Sequence, residues 1–293
     1  MFIKSAFEIR FELACPTPMI AMLHLHPSLA PNVRAGDELL IEQEAAAGVA
    51  DFSRRIQAAE YSDSFGNRCS RFVAPAGLVR LSGMNVVEME EAADPVPAEA
   101  EQDPVQELPD DVLQFLLSSR YCEVDRFVAV ANDLFGGIAG GGARALAIRD
   151  WVHQKVAFNY MAARSTKTAM DVFTERLGVC RDFQHLAITL SRCMNIPARY
   201  VTGYLGDVRH PYSGPGDFSA WYQVWLAGRW WTMDARHNEP RYGRVLMATG
   251  RDAADVAITT SFGNADLKHF WVESDEVAAV ETTPAVWIAQ AAS

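Results

Sequence analysis

The chain has 293 residues with apolar residues at 49% and a formal net charge of −11, enough to bury one large core or two modest ones. No Lys/Arg-rich stripe is present to neutralise phosphates, which argues against a nucleic-acid partner, and no apolar run approaches the ~20 residues of a membrane span. The five cysteines are odd in number and show neither Cys-x-x-Cys nor zinc-type His spacing, so neither a disulfide framework nor a metal site is expected.

The N-terminus alternates Phe7, Ile9, Phe11 and Leu13 with Glu8, Arg10 and Glu12, the period of a strand with one wet face and not of a signal-peptide core. A cytoplasmic protein is expected. Met19 to Leu25 is a second apolar run, in which His24 and His26 would point to one side of a strand as ordinary sheet residues. Asp63-Ser64-Phe65-Gly66-Asn67 is turn chemistry, followed by strand-like Phe72-Val73 and Leu78 to Met89. Residues 1–91 therefore predict a small all-β sandwich. From Ala92 to Asp110 the composition shifts to Pro, Ala, Glu and Asp without apolar period, which predicts a linker.

Helical stripes follow. One runs from Val124 to Phe135, and a second from Ala143 to Val156 beyond a connector at Gly140-Gly141-Gly142 that lacks the Lys-Ser/Thr of a phosphate loop. Thr168 to Leu177 predicts a short helix stopped by Gly178. Phe183, Leu186, Ala187 and Leu190 then repeat at i, i+3, i+4 and i+7, so a further helix starts near Cys180 and ends at Asn195-Ile196-Pro197. A cysteine thus sits at a helix N-terminus, where free N–H groups and the helix dipole favour thiolate and could donate to an oxyanion. Arg199 to Tyr204 reads as a strand and 206–216 as a loop. Phe218 to Leu226 and Arg229 to Ala235 form a hairpin around Ala227-Gly228. Val256 to Phe262, Phe270 to Val272 and Val286-Trp287-Ile288 offer further strands.

Helices, then a cysteine helix, then antiparallel strands: this order resembles the transglutaminase-like superfamily with its papain-like core. The matching residues are Gly178-Val179-Cys180-Arg181-Asp182-Phe183, Ile196 through Tyr204, Ala220-Trp221, and Trp230 through Asp234. The resemblance covers about residues 110–250, and residues 1–91 look like the β-domain that precedes this core in bacterial members. It implies Cys180 as nucleophile and Asp234 as the carboxylate that orients a base. The strand histidine before Ala-Trp that serves as base is absent: Asp217-Phe218-Ser219-Ala220-Trp221 puts Ser219 in its place.

A two-residue turn at Ala227-Gly228 would set Asp234 opposite Trp221 and diagonal to Ser219 on one face, about 7–8 Å between Cβ atoms. An imidazole at 219 could span that gap; a serine hydroxyl neither takes the thiol proton nor returns it to a leaving amine. His237 is a candidate substitute base, although unbroken strand alternation would turn it away from Asp234. His210 lies on a loop, and His185, roughly 140° around the helix from Cys180, is expected to pack elsewhere.

The sequence thus predicts an α+β protein: a papain-like (cysteine proteinase/transglutaminase core) domain at 111–293, C-terminal strands included, preceded by the β-sandwich at 1–91 and a linker at 92–110. The expected activity is thiol-dependent acyl transfer or amide hydrolysis on a peptide or protein substrate, without cofactor, metal, nucleic acid or membrane. The alternative is a catalytically degenerate peptide- or protein-binding module.

Overall fold

The structure is a computed structural model, and it describes residues 1–44, 52, 54–211, 214 and 216–278. The predicted strand Val286-Trp287-Ile288 and residues 212, 213 and 215 of the 206–216 loop lie outside the described residues.

The first unit contains β1 (Phe2–Leu13), β2 (Thr17–Ala21), β3 (Val33–Gly36), β4 (Leu40–Gln43), β5 (Arg54–Arg55), β6 (Ala59–Ser62), β7 (Arg68–Ala74) and β8 (Gly77–Glu88). Ile3, Phe7, Ile9, Phe11 and Leu13 all turn into one core with Met19, Phe72, Val79 and Leu81, as the alternation along β1 requires. His24 lies beyond the end of β2, not within a strand, and its Nε2 meets Ser70 Oγ at 2.8 Å.

The second unit contains α1 (Asp110–Leu113), α2 (Val128–Phe135), α3 (Gly142–Lys155), β9 (Ala157–Phe158), α4 (Ala169–Glu175), β10 (Leu177–Gly178) and α5 (Cys180–Cys193). Then come β11 (Ala198–Tyr204), β12 (Phe218–Leu226), β13 (Arg229–Met233), β14 (Val245–Gly250), β15 (Thr259–Ser261) and β16 (Asp266–Val277). The central sheet has the order β13-β12-β11-β14. One face packs on α5, and α2, α3 and α4 cover the helix from the other side. Every residue from Asp182 to Arg192 is therefore buried, more than the single apolar face expected.

The last two strands return to the first unit. β16 pairs antiparallel with β1 from Phe2↔Val277 to Glu12↔Asp266, and β15 pairs with β2. The two sheets of the sandwich are thus β16-β1-β8-β4-β5, with β3 also on β8, and β15-β2-β7-β6. The sequence-based expectation grouped these C-terminal strands with the core. Alternation reveals which face of a strand is buried but not which strand occupies its hydrogen-bonding edge.

The Pro/Glu/Asp-rich segment after β8 is fastened along the second unit. Asp94 accepts from Arg244 Nε at 2.7 Å and Arg241 N at 3.0 Å, Ala100 O accepts from Gly142 N at 2.8 Å, and Gln102 donates to Met194 O at 2.9 Å. A Cβ on Gly142 would stand 1.5 Å from Pro97 O. The glycines of this connector admit the strap.

Candidate active site

Cys180 is the first residue of α5. The preceding turn is closed by Asp182, whose Oδ2 accepts from Val179 N at 3.0 Å, and a Cβ on Gly178 would come within 2.6 Å of Asp182 Cβ. Gly178 is needed for that approach. It does not end α4, which stops at Arg176 in the left-handed conformation at φ 59°; Gly178 instead pairs with Phe158 in the short β9–β10 ladder.

Cys180 is partly exposed and lies in the wall of a cavity of about 450 Å³ together with Tyr121, Tyr200, Asp217, Phe218, Ser219 and Phe270. Phe218 and Phe270 stack edge-on at 5.8 Å, so the returning β16 supplies part of the wall. Burial pushes the Cys180 thiol up to about 11; the Arg236 guanidinium opposes this most, Asp217 adds to it, the Arg181 backbone N–H opposes, and Asp234 adds the least. Burial at this position thus favours the neutral thiol, opposing the helix start that favours thiolate.

One turn along α5, Gln184 carries the helix to the hairpin. Its Nε2 donates to Asp234 Oδ1 at 3.1 Å and to Ala220 O at 3.2 Å, and its Oε1 accepts from Ala235 N at 3.2 Å. The hairpin register is the expected one, Tyr222↔Met233 through Leu226↔Arg229, with Ala227 and Gly228 both at positive φ.

Past Met233 the strand breaks into a turn closed by Asn238 N donating to Asp234 O at 3.0 Å. That break reverses His237, and its Nδ1 lies 2.9 Å from Asp234 Oδ2. Because a carboxylate only accepts, Nδ1 carries the proton. Nε2 accepts from Arg236 Nη1 at 2.9 Å. Asp234 Oδ1 also accepts the backbone N–H groups of Arg236 at 2.9 Å and His237 at 3.1 Å. Behind it, buried Arg244 donates to Asp234 Oδ2 at 2.9 Å. Burial alone would raise the Asp234 carboxyl, but Arg244 first, then His237, hold it well below the usual carboxylate range.

Of the residues predicted from sequence, Cys180 and Ser219 line one cavity, and Asp234 and His237 form a hydrogen-bonded pair one helical turn away. His210 lies instead against Glu239 at 2.9 Å. His185 is buried beneath the cavity, stacked on Tyr121 at 4.9 Å; its Nε2 accepts from Ala253 N at 3.1 Å, and its Nδ1 has no partner among the described residues. Sequence reasoning missed Gln184, Arg236 and Arg244. The i+4 spacing of Gln184 from Cys180 is a signal for the first; nothing local marks Arg244 as the cation behind Asp234.

Residues 128–235 match the family model described as the transglutaminase-like superfamily. The fold is similar to a crystal structure described as a putative cysteine protease from Cytophaga hutchinsonii: TM-score 0.81, 32% identity, covering 97% of this chain and 93% of that one. An uncharacterized protein of Mycobacterium leprae is 31% identical over 152 residues, and one of Mycobacterium tuberculosis (strain ATCC 25618 / H37Rv) 34% over 113. Those matches take in 50% and 34% of this chain, and span 53% and 35% of the relatives' own lengths.

Proposed function

This chain belongs to the transglutaminase-like superfamily, and on that premise we propose that its cavity performs thiol-dependent acyl transfer, cleaving or exchanging an amide of a peptide or protein substrate. The observation that carries this reading is the partly exposed Cys180 at the head of α5, set in the wall of a cavity of about 450 Å³, with the Asp234–His237 pair one turn away through Gln184.

Cys180 Sγ attacks the carbonyl carbon and its proton passes to His237 Nε2, once Arg236 Nη1 has left that lone pair. N–H groups at the start of α5 donate to the oxyanion. Collapse expels the amine with the proton from the imidazolium, leaving a thioester that water or a second amine resolves. Asp234 keeps the Nδ1–H tautomer and favours the imidazolium. His237 thereby supplies from the turn after β13 what Ser219 on β12 cannot.

The test is hydrolysis of a fluorogenic peptide-amide library by the intact chain. Cys180→Ala should abolish turnover, and His237→Gln should lower it about 10²–10⁴-fold, the usual worth of acid–base help. Unchanged turnover in Cys180→Ala would sink the reading.

A second reading, a peptide- or protein-binding module, is favoured by one observation: the nitrogen His237 would use as a base already accepts from Arg236 Nη1 at 2.9 Å. Binding of library peptides without turnover, unaffected by Cys180→Ala, would select it.

A further inference from the structure

We propose that Asp217 is a specificity-determining residue of the cavity, selecting a peptide that carries a basic side chain beside the amide Cys180 attacks. This rests on the reading of Cys180 as the reacting sulfur and adds the substrate class to it.

The carboxylate is set in place by its two neighbours in the chain. Gly216 runs so close to β16 that a Cβ on it would stand 2.0 Å from Val272 O. Phe218 opens β12, where it pairs with Tyr204 of β11, and its buried ring lies 5.8 Å from that of Phe270. Asp217 and the sulfur consequently line one cavity of about 450 Å³, within the size range of ligand pockets. Phe270 is 41% exposed, so the acid and an open aromatic ring border the same space. That pairing suits an organic cation, which gains from a carboxylate and from a ring face together.

Among the described residues, the charged side chains in the wall are Asp217 and Arg181. The Arg181 guanidinium is committed to Arg164 O at 2.6 Å and Asp182 Oδ1 at 3.3 Å. Asp217 is exposed and makes no salt bridge among the described residues. Arg236, which favours its anion, lies outside the wall and gives Nη1 to His237 Nε2 at 2.9 Å. The uncommitted charge that these residues turn to the cavity is therefore negative. An amine that attacks a thioester needs its lone pair, whereas a neighbouring carboxylate keeps an amine protonated. Asp217 thus recognises a basic group as a cation and not as the attacking amine, and a lysine or arginine side chain of the acyl donor meets that requirement.

The experiment compares the rates at which Cys180 of the intact chain reacts with trimethylammonioethyl and sulfonatoethyl methanethiosulfonates, followed by mass of the Cys180 peptide, since exposed Cys15 also reacts. The medium is about 0.15 M salt, which screens charges beyond about 8 Å. The thiolate sulfur bonds to the reagent's thio sulfur, methanesulfinate leaves, and the thiol proton goes to solvent. Taking the cationic-to-anionic ratio cancels any change in the thiol itself. Relative to 2-mercaptoethanol the ratio should be raised about tenfold or more, as in a cleft lined by one sign of charge, and should fall about tenfold in Asp217→Asn. In Asp217→Lys the preference should invert. A ratio no higher than that of 2-mercaptoethanol, or one unmoved by Asp217→Asn, would overturn the proposal, as would an unaltered chain that reacts with neither reagent. N-acetyl-lysine methylamide should slow the cationic reaction and its norleucine counterpart should not. Equal effects of the two, or butylamine slowing the reaction as well as the lysine amide does, would overturn the assignment to a peptide side chain. No amide is cleaved in these reactions, so a failure of the acyl-transfer reading leaves the result interpretable.

Discussion

The Asp234 carboxylate accepts five hydrogen bonds: from Gln184 Nε2, the N–H groups of Arg236 and His237, His237 Nδ1 and Arg244 Nη2. Asp234→Asn would leave Arg244, buried between two carboxylates, with Asp94 alone, a loss of about 3–5 kcal/mol as for a broken buried pair. Because the folded carboxyl is held below its unfolded value, its contribution is complete above the unfolded pKa of about 4 and disappears as pH falls toward the folded one. Urea unfolding should show the full gap between the two proteins at pH 7 and a shrinking gap below about pH 4; a constant gap would mean that the carboxylate is not the stabilising species. The same saturation bears on Ser219. An imidazole placed there must compete with His237 and Arg244 for Asp234 Oδ2. Ser219→His alone should therefore leave amide hydrolysis nearly unchanged, and Ser219→His with His237→Gln should exceed His237→Gln alone, by rates on the same peptide library. The position of Asp234 is legible in the sequence through the hairpin register; the return of His237 is not, because the break after Met233 carries no proline or glycine to announce it.

At the scale of elements, the β12–β13 hairpin sets the distance between Asp234 and the cysteine helix, and its two-residue turn fixes that register. Ala227 adopts φ 50° and Gly228 φ 74°, the pair of positive values that a type I′ turn requires and that favours Asn-Gly. Alanine in that region costs about 1 kcal/mol or more. Ala227→Asn should accordingly raise stability by about 0.5–1 kcal/mol without altering the site, measured as a shift in the denaturation midpoint with unchanged slope. Local chemistry of this kind makes the hairpin and α5 legible in the residues themselves. Other elements are decided by distant partners. The Pro-rich 92–110 segment has the composition of a free linker, yet its polar groups find Arg241, Arg244 and Met194 O. Similarly, the polar residues of α5 do not mark a wet face: Thr189 and Ser191 donate to carbonyls four residues back, and Arg192 to Ala198 O.

Across the whole molecule the chain crosses between its units twice. The strap from 92 leads out of β8 and along the second unit, while β15 and β16 return to complete both sheets of the first. Side chains from the second unit, Tyr204, Phe218, Val245 and Met247, also belong to the core of the first. The edge of β1 is covered along its length by β16, and an uncovered edge of that kind is a template for intermolecular pairing. The units should therefore unfold together, against the usual tendency of domains to behave separately. Hydrogen exchange read by mass spectrometry across a urea series tests this: peptides from β1 and β8 should lose protection at the same urea concentration as peptides from α5 and β11. Earlier loss in one set would show two independent units joined by contacts too weak to couple them. If the coupling holds, a chain ending before Thr259 should aggregate instead of leaving a folded core, because it lacks the strands that cover β1 and β2 and the Phe270 wall of the cavity. In that case the cleft is a product of both units, and the strands that close the sandwich also shape the space in front of Cys180.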